Sequence, residues 1–211
     1  MILDSAGVVA AQASAPLEVS RPHVLWSEQD PGDWWASTEA AVQALPAALR
    51  GAAQGIGLAG QMHGATLLGA DDKPLRPAIL WNDGRSYSEC AELENAVPEL
   101  RQIAGNIAMP GFTAPKLDWV RKHEPEVFAA VRTVLLPKDY VRLCMSGDKA
   151  SDLSDSAGTL WLNVAARDWS DELLAATGLT RDHMPALHEG TEATGTLSAA
   201  VAARWGMKRV P

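Results

Sequence analysis

The hydrophobic and polar positions of the chain follow the period of a helix in some segments and of a strand in others. The longest helical pattern begins after Asp30, a favourable N-cap, with Pro31 at the first helical position. Its apolar side recurs at helical spacing until Pro46 interrupts it, through Trp34, Trp35, Thr38, Ala41, Val42 and Leu45. We therefore predict a helix with one buried face between Pro31 and Pro46.

Shorter patterns predict further helices and several strands. The helical segments span residues 86–97, 115–122, 139–145 and 198–205, and two more begin at Pro125 and after Ser170. The strand segments span residues 2–3, 8–12, 65–68, 75–81, 134–136 and 160–162. The polar stretch 151–159 predicts a loop.

Strands and helices in this order predict an α/β domain with a mixed sheet and flanking helices. The chain starts within a predicted hairpin over residues 2–12, and a two-stranded ribbon is marginal unless further strands pair with it. Residues 208–211 lead into no segment that would close the sheet. We therefore expect that parts of this domain lie outside these 211 residues at both ends.

The composition narrows the class of protein. The chain is 47% hydrophobic and 21% charged, as an ordinary globular protein is, and its net charge of -8 would repel a nucleic-acid backbone or an anionic membrane surface. Its two cysteines, Cys90 and Cys144, lack the spacing of a disulfide framework or a metal site. Because no leader and no membrane-length apolar run is evident, we expect a soluble cytoplasmic protein.

Three glycines match a nucleotide-binding pattern without its context. Gly55, Gly57 and Gly60 fit the G-x-G-x-x-G spacing of dinucleotide-binding turns, but that motif follows a strand and opens a helix. Here a helix precedes it, and the segment through Ala65 is too rich in glycine to form a good helix. Close packing of a small-residue strand explains the glycines better than a nicotinamide dehydrogenase does. The chain also contains no Walker A sequence.

His63 is the one histidine whose position in the sequence indicates that it contacts a ligand. The five histidines, His23, His63, His123, His183 and His188, lack the close pairs of a metal site. His63 follows Met62 directly after the small-residue segment, where α/β folds present ligand contacts beyond the ends of strands. A packed histidine without a ligand is the alternative.

Two further clusters of polar residues allow two interpretations each. Trp81, Asn82, Asp83 and Arg85 follow a predicted strand and suit a surface that binds the hydroxyls of a polyol. The same residues also suit a turn in which Asp83 and Arg85 bind each other. Asp152 and Asp155 would be paired carboxylates, although an Asx-turn loop explains them more simply. The sequence leaves both pairs of alternatives open.

Several stretches, in order, resemble the FGGY family of carbohydrate kinases over essentially the whole chain. Trp26-Ser27-Glu28-Gln29-Asp30-Pro31, followed by Trp34-Trp35, is similar to the early helix entry of the family. The residues from Gly111 through Pro115, Lys116 and Trp119 to His123 are similar to its first signature. The stretches at residues 61–64, 80–85 and 136–140 are most similar to the ketopentose kinases of the family.

This resemblance implies a fold, a reaction and a set of sugar contacts. The fold is ribonuclease-H-like, of the actin, hexokinase and Hsp70 superfamily, with two domains and an active site between them; residues 1–211 would be most of the first. The implied reaction is phosphorylation of D-xylulose at its terminal hydroxyl, with ATP and Mg²⁺, by an enzyme that is often a homodimer. Met62 and His63 would contact the sugar, Trp81 would wall the pocket, and Asn82 and Asp83 would be further contacts. Another sugar or polyol of the family, or a non-catalytic sugar-binding module, is the alternative.

The resemblance also implies that parts of the catalytic apparatus lie elsewhere. The Asp-Gly-Thr phosphate hairpin of the family would precede Met1, and its catalytic aspartate would follow Pro211. No catalytic, nucleotide-binding or metal-binding residue is therefore assigned within this chain.

The 211 residues alone are expected not to phosphorylate D-xylulose, because phosphoryl transfer depends on positioning and charge neutralisation by groups this segment does not supply. A coupled ADP-release assay on the purified chain checks this. Turnover of D-xylulose above the buffer rate would contradict it.

Overall fold

The computed structural model describes residues 1–211 as a mixed α/β structure. Ten short strands, β1 to β10, lie at Ile2–Leu3, Val9–Ala11, Glu28–Gln29, Thr66–Leu68, Ala78–Ile79, Thr133–Leu135, Ala150–Asp152, Leu162–Asn163, Asp168–Trp169 and Ala186–His188. Ten helices, α1 to α10, lie at Pro31–Ala44, Ala47–Ala52, Tyr87–Ala96, Leu100–Ala104, Thr113–His123, Pro125–Ala130, Pro137–Ser146, Leu153–Ala157, Asp171–Ala176 and Ala199–Trp205. No helix has the length and hydropathy of a membrane span.

The central strands pair in the order β3, β5, β4, β6, and every pairing among them is antiparallel. β3 pairs with β5, a bridge between Ala65 and Ile79 joins β5 to the start of β4, and β4 pairs with β6. β7 and β10 pair in parallel, so both strand orientations predicted from the sequence are present. Because β4 and β5 run in opposite directions, the residues before β4 and after β5 lie at the same edge. His63 and Trp81 occupy those two positions.

The core surrounds α5 and the segment that leads into β8. Ala114, Leu117 and Val120 of α5 are fully buried, and Trp161 packs in the same apolar cluster. The indole nitrogen of Trp161 donates to the Thr177 hydroxyl at 2.9 Å, which satisfies its one polar atom. This cluster fixes the position of α5, whose first turn reaches the edge occupied by His63.

The first helix forms as its sequence predicts. The Asp30 side chain accepts from the Gly32 amide at 2.7 Å, and α1 ends at Ala44 because Leu45 is extended before Pro46. Trp34 is buried, and its indole nitrogen donates to Gln29 at 2.9 Å. The helix thereby anchors β3 at the central sheet.

The segment predicted as a loop over residues 151–159 is regular, and that prediction was wrong. Residues 150–152 form β7, and the Asp152 side chain accepts from the Asp155 amide to cap α8. The polar residues that indicated a loop are therefore capping residues of a short helix. Leu160 has a φ of 67°, so the strand predicted there begins only at Leu162. Two short helices, α2 and α4, were not predicted, because five or six residues show too little periodicity.

Replacing Trp161 with Ala is expected to lower the free energy of unfolding by about 3–5 kcal/mol, because it empties a fully buried volume and leaves Thr177 without its donor. Trp81→Ala is the matched control. The Trp81 side chain is 51% exposed, and its loss is expected to change stability by less than about 0.5 kcal/mol. Urea unfolding of the two variants measures both values, and equal losses would contradict this description of the core.

Candidate functional site

His63 lies in a strained turn whose contacts fix both its backbone and its ring. Its φ is 65°, in the left-handed region that residues with a Cβ seldom adopt. Its carbonyl oxygen accepts from Lys116 Nζ at 2.9 Å and from the Thr113 hydroxyl at 3.1 Å. Its ring packs edge-on against Phe112, and Nδ1 lies 2.9 Å from the carbonyl oxygen of Gly158. Two contacts therefore hold the imidazole ring, and two hydrogen bonds hold the backbone of the turn.

Glycines allow the chain to approach this turn closely. A Cβ on Gly158 would lie 2.3 Å from the His63 ring, and a Cβ on Gly64 would lie 2.5 Å from Pro137 Cγ. Both distances are far below van der Waals contact, so a side chain at either position would displace the turn. The close approach of Pro137 therefore explains why a glycine, Gly64, follows His63 in the sequence.

His63 lies on an open depression at the edge of the sheet. The depression is lined by residues before β4, on α7 and around α8, namely Leu58, Ala59, Gly60, Met62, His63, Lys138, Asp152, Ser154, Asp155 and Gly158. Met62 is 44% exposed there, so its thioether side chain forms an accessible apolar wall. The structure thus places Met62 and His63, both predicted sugar contacts, on the same accessible surface.

Three carboxylates surround Lys138 at this depression. Lys138 Nζ lies 2.7 Å from Asp139 and 2.9 Å from both Asp152 and Asp155. Burial disfavours the charge of Lys138, but the three carboxylates outweigh it and raise the pKa of Lys138 above its ordinary value. Asp152 and Asp155 keep part of their surface exposed, so they can also accept from hydroxyl groups. No role was predicted for Lys138, because two of its three partners, Asp152 and Asp155, lie in the segment that was predicted as a loop.

Trp81 and Asn82 lie at the same sheet edge but outside the depression. Trp81 is half-exposed and Asn82 is exposed, and neither is among the residues that line the surface beside His63. The segment before α5 connects the two places, because a Cβ on Gly111 would lie 2.6 Å from the Trp81 carbonyl oxygen. The two turns are therefore adjacent, whereas the sequence predicted that they would share one concave surface.

Asp83 is buried within an ion network and is not free to contact a sugar. One of its oxygens accepts from the Ser27 amide at 2.6 Å and from Arg85 at 2.7 Å. The other oxygen accepts from Arg85 Nε and from the Arg85 amide, both at 2.9 Å. The structure thus favours the second interpretation of this cluster, in which Asp83 and Arg85 bind each other, over the predicted sugar contact.

Arg85 extends this network into the core. Its side chain is 1% exposed, it lies 2.8 Å from Glu28, and its guanidinium stacks 3.6 Å from the centre of the Trp26 ring. Such a planar, multiply bonded guanidinium fixes the loop after Trp81 to the strand that carries Glu28. The loop is therefore rigid where it leaves the sheet.

Lys116 connects the His63 turn to the Trp81 turn. It is fully buried, and its Nζ donates to the carbonyl oxygens of His63 at 2.9 Å and of Gly111 at 2.5 Å. Burial lowers the pKa of Lys116 to about 7, with Arg85 adding to this effect and Asp83 opposing it. Burial and the charge of Lys116 together lower the pKa of His63, which favours a neutral imidazole.

A second cavity, of about 180 Å³, shares Lys138 and Asp152 with the depression. One of its walls is Arg142, which donates to the Thr194 hydroxyl at 3.0 Å and to the Asp148 carbonyl oxygen at 2.8 Å. None of the predicted sugar contacts lines this cavity.

Replacing Asp83 with Ala is expected to lower the free energy of unfolding by about 3–5 kcal/mol, because it leaves the buried Arg85 guanidinium without its main partner. Asp71→Ala is the matched control, since its ion pair with Lys73 is exposed, and we expect no measurable loss. Chemical denaturation measures both. A stable Asp83→Ala protein would return Asp83 to the candidate sugar contacts.

Lys116 is expected to make stability depend on pH between about pH 7 and 10. Its folded pKa of about 7 lies below the ordinary value of 10.5, so in this window the unfolded chain binds a proton that the folded chain does not. The free energy of unfolding contributed by Lys116 therefore rises with pH and is least favourable below pH 7. Denaturation of the wild-type chain and of Lys116→Met at pH 6.5, 7.5 and 8.5 measures this difference. Parallel pH profiles of the two proteins would contradict it.

Comparison with known proteins relates this site to sugar kinases. A model described as the FGGY family of carbohydrate kinases, N-terminal domain, matches residues 1–211. The chain is 58% identical over 213 residues to the xylulose kinase of Escherichia coli (strain K12), covering 100% of this chain and 44% of that protein. It is 59% identical over 209 residues to the xylulose kinase of Klebsiella pneumoniae, covering 98% and 43%. The chain thus spans less than half the length of these curated relatives.

A solved structure described as a xyloylose kinase from Brucella ovis superposes with a TM-score of 0.94 at 55% identity, covering 98% of this chain and 43% of that one. The predicted fold of the actin and hexokinase superfamily, as the first domain of a two-domain sugar kinase, is thereby confirmed. The chain belongs to the FGGY family of carbohydrate kinases, whose N-terminal domain its residues 1–211 match.

Proposed function

We propose that this chain supplies the sugar-binding part of a kinase that phosphorylates D-xylulose at its terminal hydroxyl. The observation that carries the proposal is the placement of Met62 and His63 on one open depression beside the carboxylates of Asp152 and Asp155. Such a surface joins an apolar wall to several hydrogen-bonding groups, as polyol recognition requires. The similarity of this chain to xylulose kinases favours D-xylulose among the sugars.

His63 is the residue most suited to bind a sugar hydroxyl. The Gly158 carbonyl oxygen can only accept a hydrogen bond, so Nδ1 carries the ring proton and Nε2 keeps its lone pair. The lowered pKa of His63 favours this neutral form at pH 7. Nε2 therefore acts as a fixed acceptor for a hydroxyl group.

Trp81 and Asn82 would extend the sugar site beyond the depression. Both follow β5 at the edge where Met62 and His63 precede β4, and both are accessible. An indole face suits the C–H side of a sugar, and an amide suits its hydroxyls. We retain these two residues as proposed contacts and omit Asp83, whose oxygens are occupied.

The residues around His63 do not fit the triphosphate of ATP. The one basic side chain that lines the depression, Lys138, is already bound by three carboxylates, which would repel phosphate. MgATP, when bound, supplies the phosphoryl group, and we assign no residue of this chain to it. The role proposed for residues 1–211 is to bind and orient the acceptor hydroxyl.

The purified chain is expected to bind D-xylulose, and His63→Ala is expected to weaken that binding about tenfold or more, because it removes a fixed acceptor. Chemical-shift titration with D-xylulose, D-ribulose and glycerol measures the affinity and the preference. His183→Ala is the matched control, since His183 lies in a 3₁₀ turn and lines neither cavity.

Two results would count against the proposed function. A wild-type affinity of the His63→Ala chain would remove His63 from the site. A clear preference for another sugar or polyol would favour a different kinase of the family, or a binding module without catalysis.

A further inference from the structure

His63 adopts a left-handed backbone conformation, which is uncommon for a residue with a Cβ. Its φ of 65° lies where the Cβ of an L-residue crowds its own carbonyl group. A residue keeps such a conformation only where its surroundings over-determine it, and such residues cluster at ligand sites. The contacts that hold His63 are therefore part of how the site works.

The carbonyl oxygen of His63 receives two of these contacts, both from the first turns of α5. Lys116 Nζ donates to it at 2.9 Å and the Thr113 hydroxyl donates to it at 3.1 Å. Both side chains are fully buried. Two buried donors that converge on one carbonyl oxygen leave the turn little freedom to rotate.

Lys116 has no ion-pair partner that would explain its burial. Its hydrogen bonds go to the carbonyl oxygens of His63 and Gly111, and no carboxylate lies within ion-pair distance of its Nζ. An amine taken out of water costs free energy unless its donors are used. Here the donors are used on the turn that carries His63 and on the segment at Gly111, which contacts the turn that carries Trp81.

Gly111 connects Lys116 to the turn at Trp81. The space for a Cβ on Gly111 is filled by the carbonyl oxygen of Trp81 at 2.6 Å, so the two backbones are in direct contact. The distance from Lys116 Nζ to the Gly111 carbonyl oxygen is 2.5 Å. Lys116 therefore bonds directly to the His63 turn and reaches the Trp81 turn through Gly111.

We propose that Lys116, together with Thr113, is a positioning residue of the sugar site, which holds the His63 turn so that its imidazole stays on the depression. This inference rests on the proposed function only for its link to the sugar. Lys116 is fully buried and touches no substrate itself. Helix α5, which carries Lys116, packs in the core and so holds the lysine in place beside the His63 turn.

The test compares Lys116→Met and Thr113→Val in the 211-residue chain. The first readout needs no sugar: nuclear Overhauser contacts between the rings of His63 and Phe112, whose centres are 4.7 Å apart. The second readout is the dissociation constant for D-xylulose. Lys122→Met is the matched control, because Lys122 lies on the same helix and binds Glu89, Glu92 and Asp118 instead.

Lys116→Met is expected to lose the contacts between His63 and Phe112 and to weaken D-xylulose binding about tenfold, because it removes both hydrogen bonds that the amine donates. Thr113→Val is expected to weaken the contacts and to reduce affinity a few-fold, about the effect of a neutral hydrogen bond. Lys122→Met is expected to leave both readouts at the wild-type values.

The proposal is overturned if folded Lys116→Met keeps the His63 contacts, even where it is less stable. Should Lys116→Met fail to fold, Thr113→Val decides in the same way, since an unchanged His63 turn in that variant rules out the positioning role. If the wild-type chain binds no D-xylulose while the variants still release His63, the proposed sugar site is wrong and the positioning role of Lys116 and Thr113 is retained.

Discussion

The arrangement of the site depends on the buried amine of Lys116 and the two carbonyl oxygens that receive its hydrogen bonds. A lysine without an ion-pair partner is costly in a protein interior, and its burial lowers the pKa of Lys116 to about 7. The cost is offset only where the donors find fixed acceptors, so the turns at His63 and Gly111 and the amine constrain one another. Helix α5 provides the position for this contact because its apolar face is locked into the core around Leu117.

A second buried network fixes the loop that carries Trp81 and Asn82. Arg85 binds Asp83 and Glu28 and stacks on Trp26, which ties the loop after β5 to β3. Both charges of this network act on Lys116, since Arg85 lowers the pKa of Lys116 and Asp83 opposes that effect. The rigid parts of the site are thus ionic and buried, whereas the proposed contacts at Met62 and Trp81 are exposed.

The sequence predicted the elements whose signals are local. Asp30, Pro31 and Pro46 bound α1 as expected, and the histidine after the small-residue segment lies at an accessible edge. The prediction was wrong where the role of a residue depends on a partner that is remote in the sequence. Asp83 has the residue type of a sugar ligand, yet its amide partner Ser27 is 56 residues away, so its burial could not be read from the motif. The role of Lys116 was not predicted for the same reason, since its acceptor at His63 is 53 residues away.

Close backbone contact explains why three positions around the proposed site are glycines. Gly64, Gly111 and Gly158 each occupy a place where a Cβ would meet a neighbour at 2.6 Å or less. Two of those neighbours belong to the proposed sugar site, the ring of His63 and the carbonyl of Trp81. A substitution at such a glycine would move a sugar contact without removing any hydrogen-bonding group. The precision of the site is therefore set by backbone packing, and the polar side chains use the positions that this packing defines.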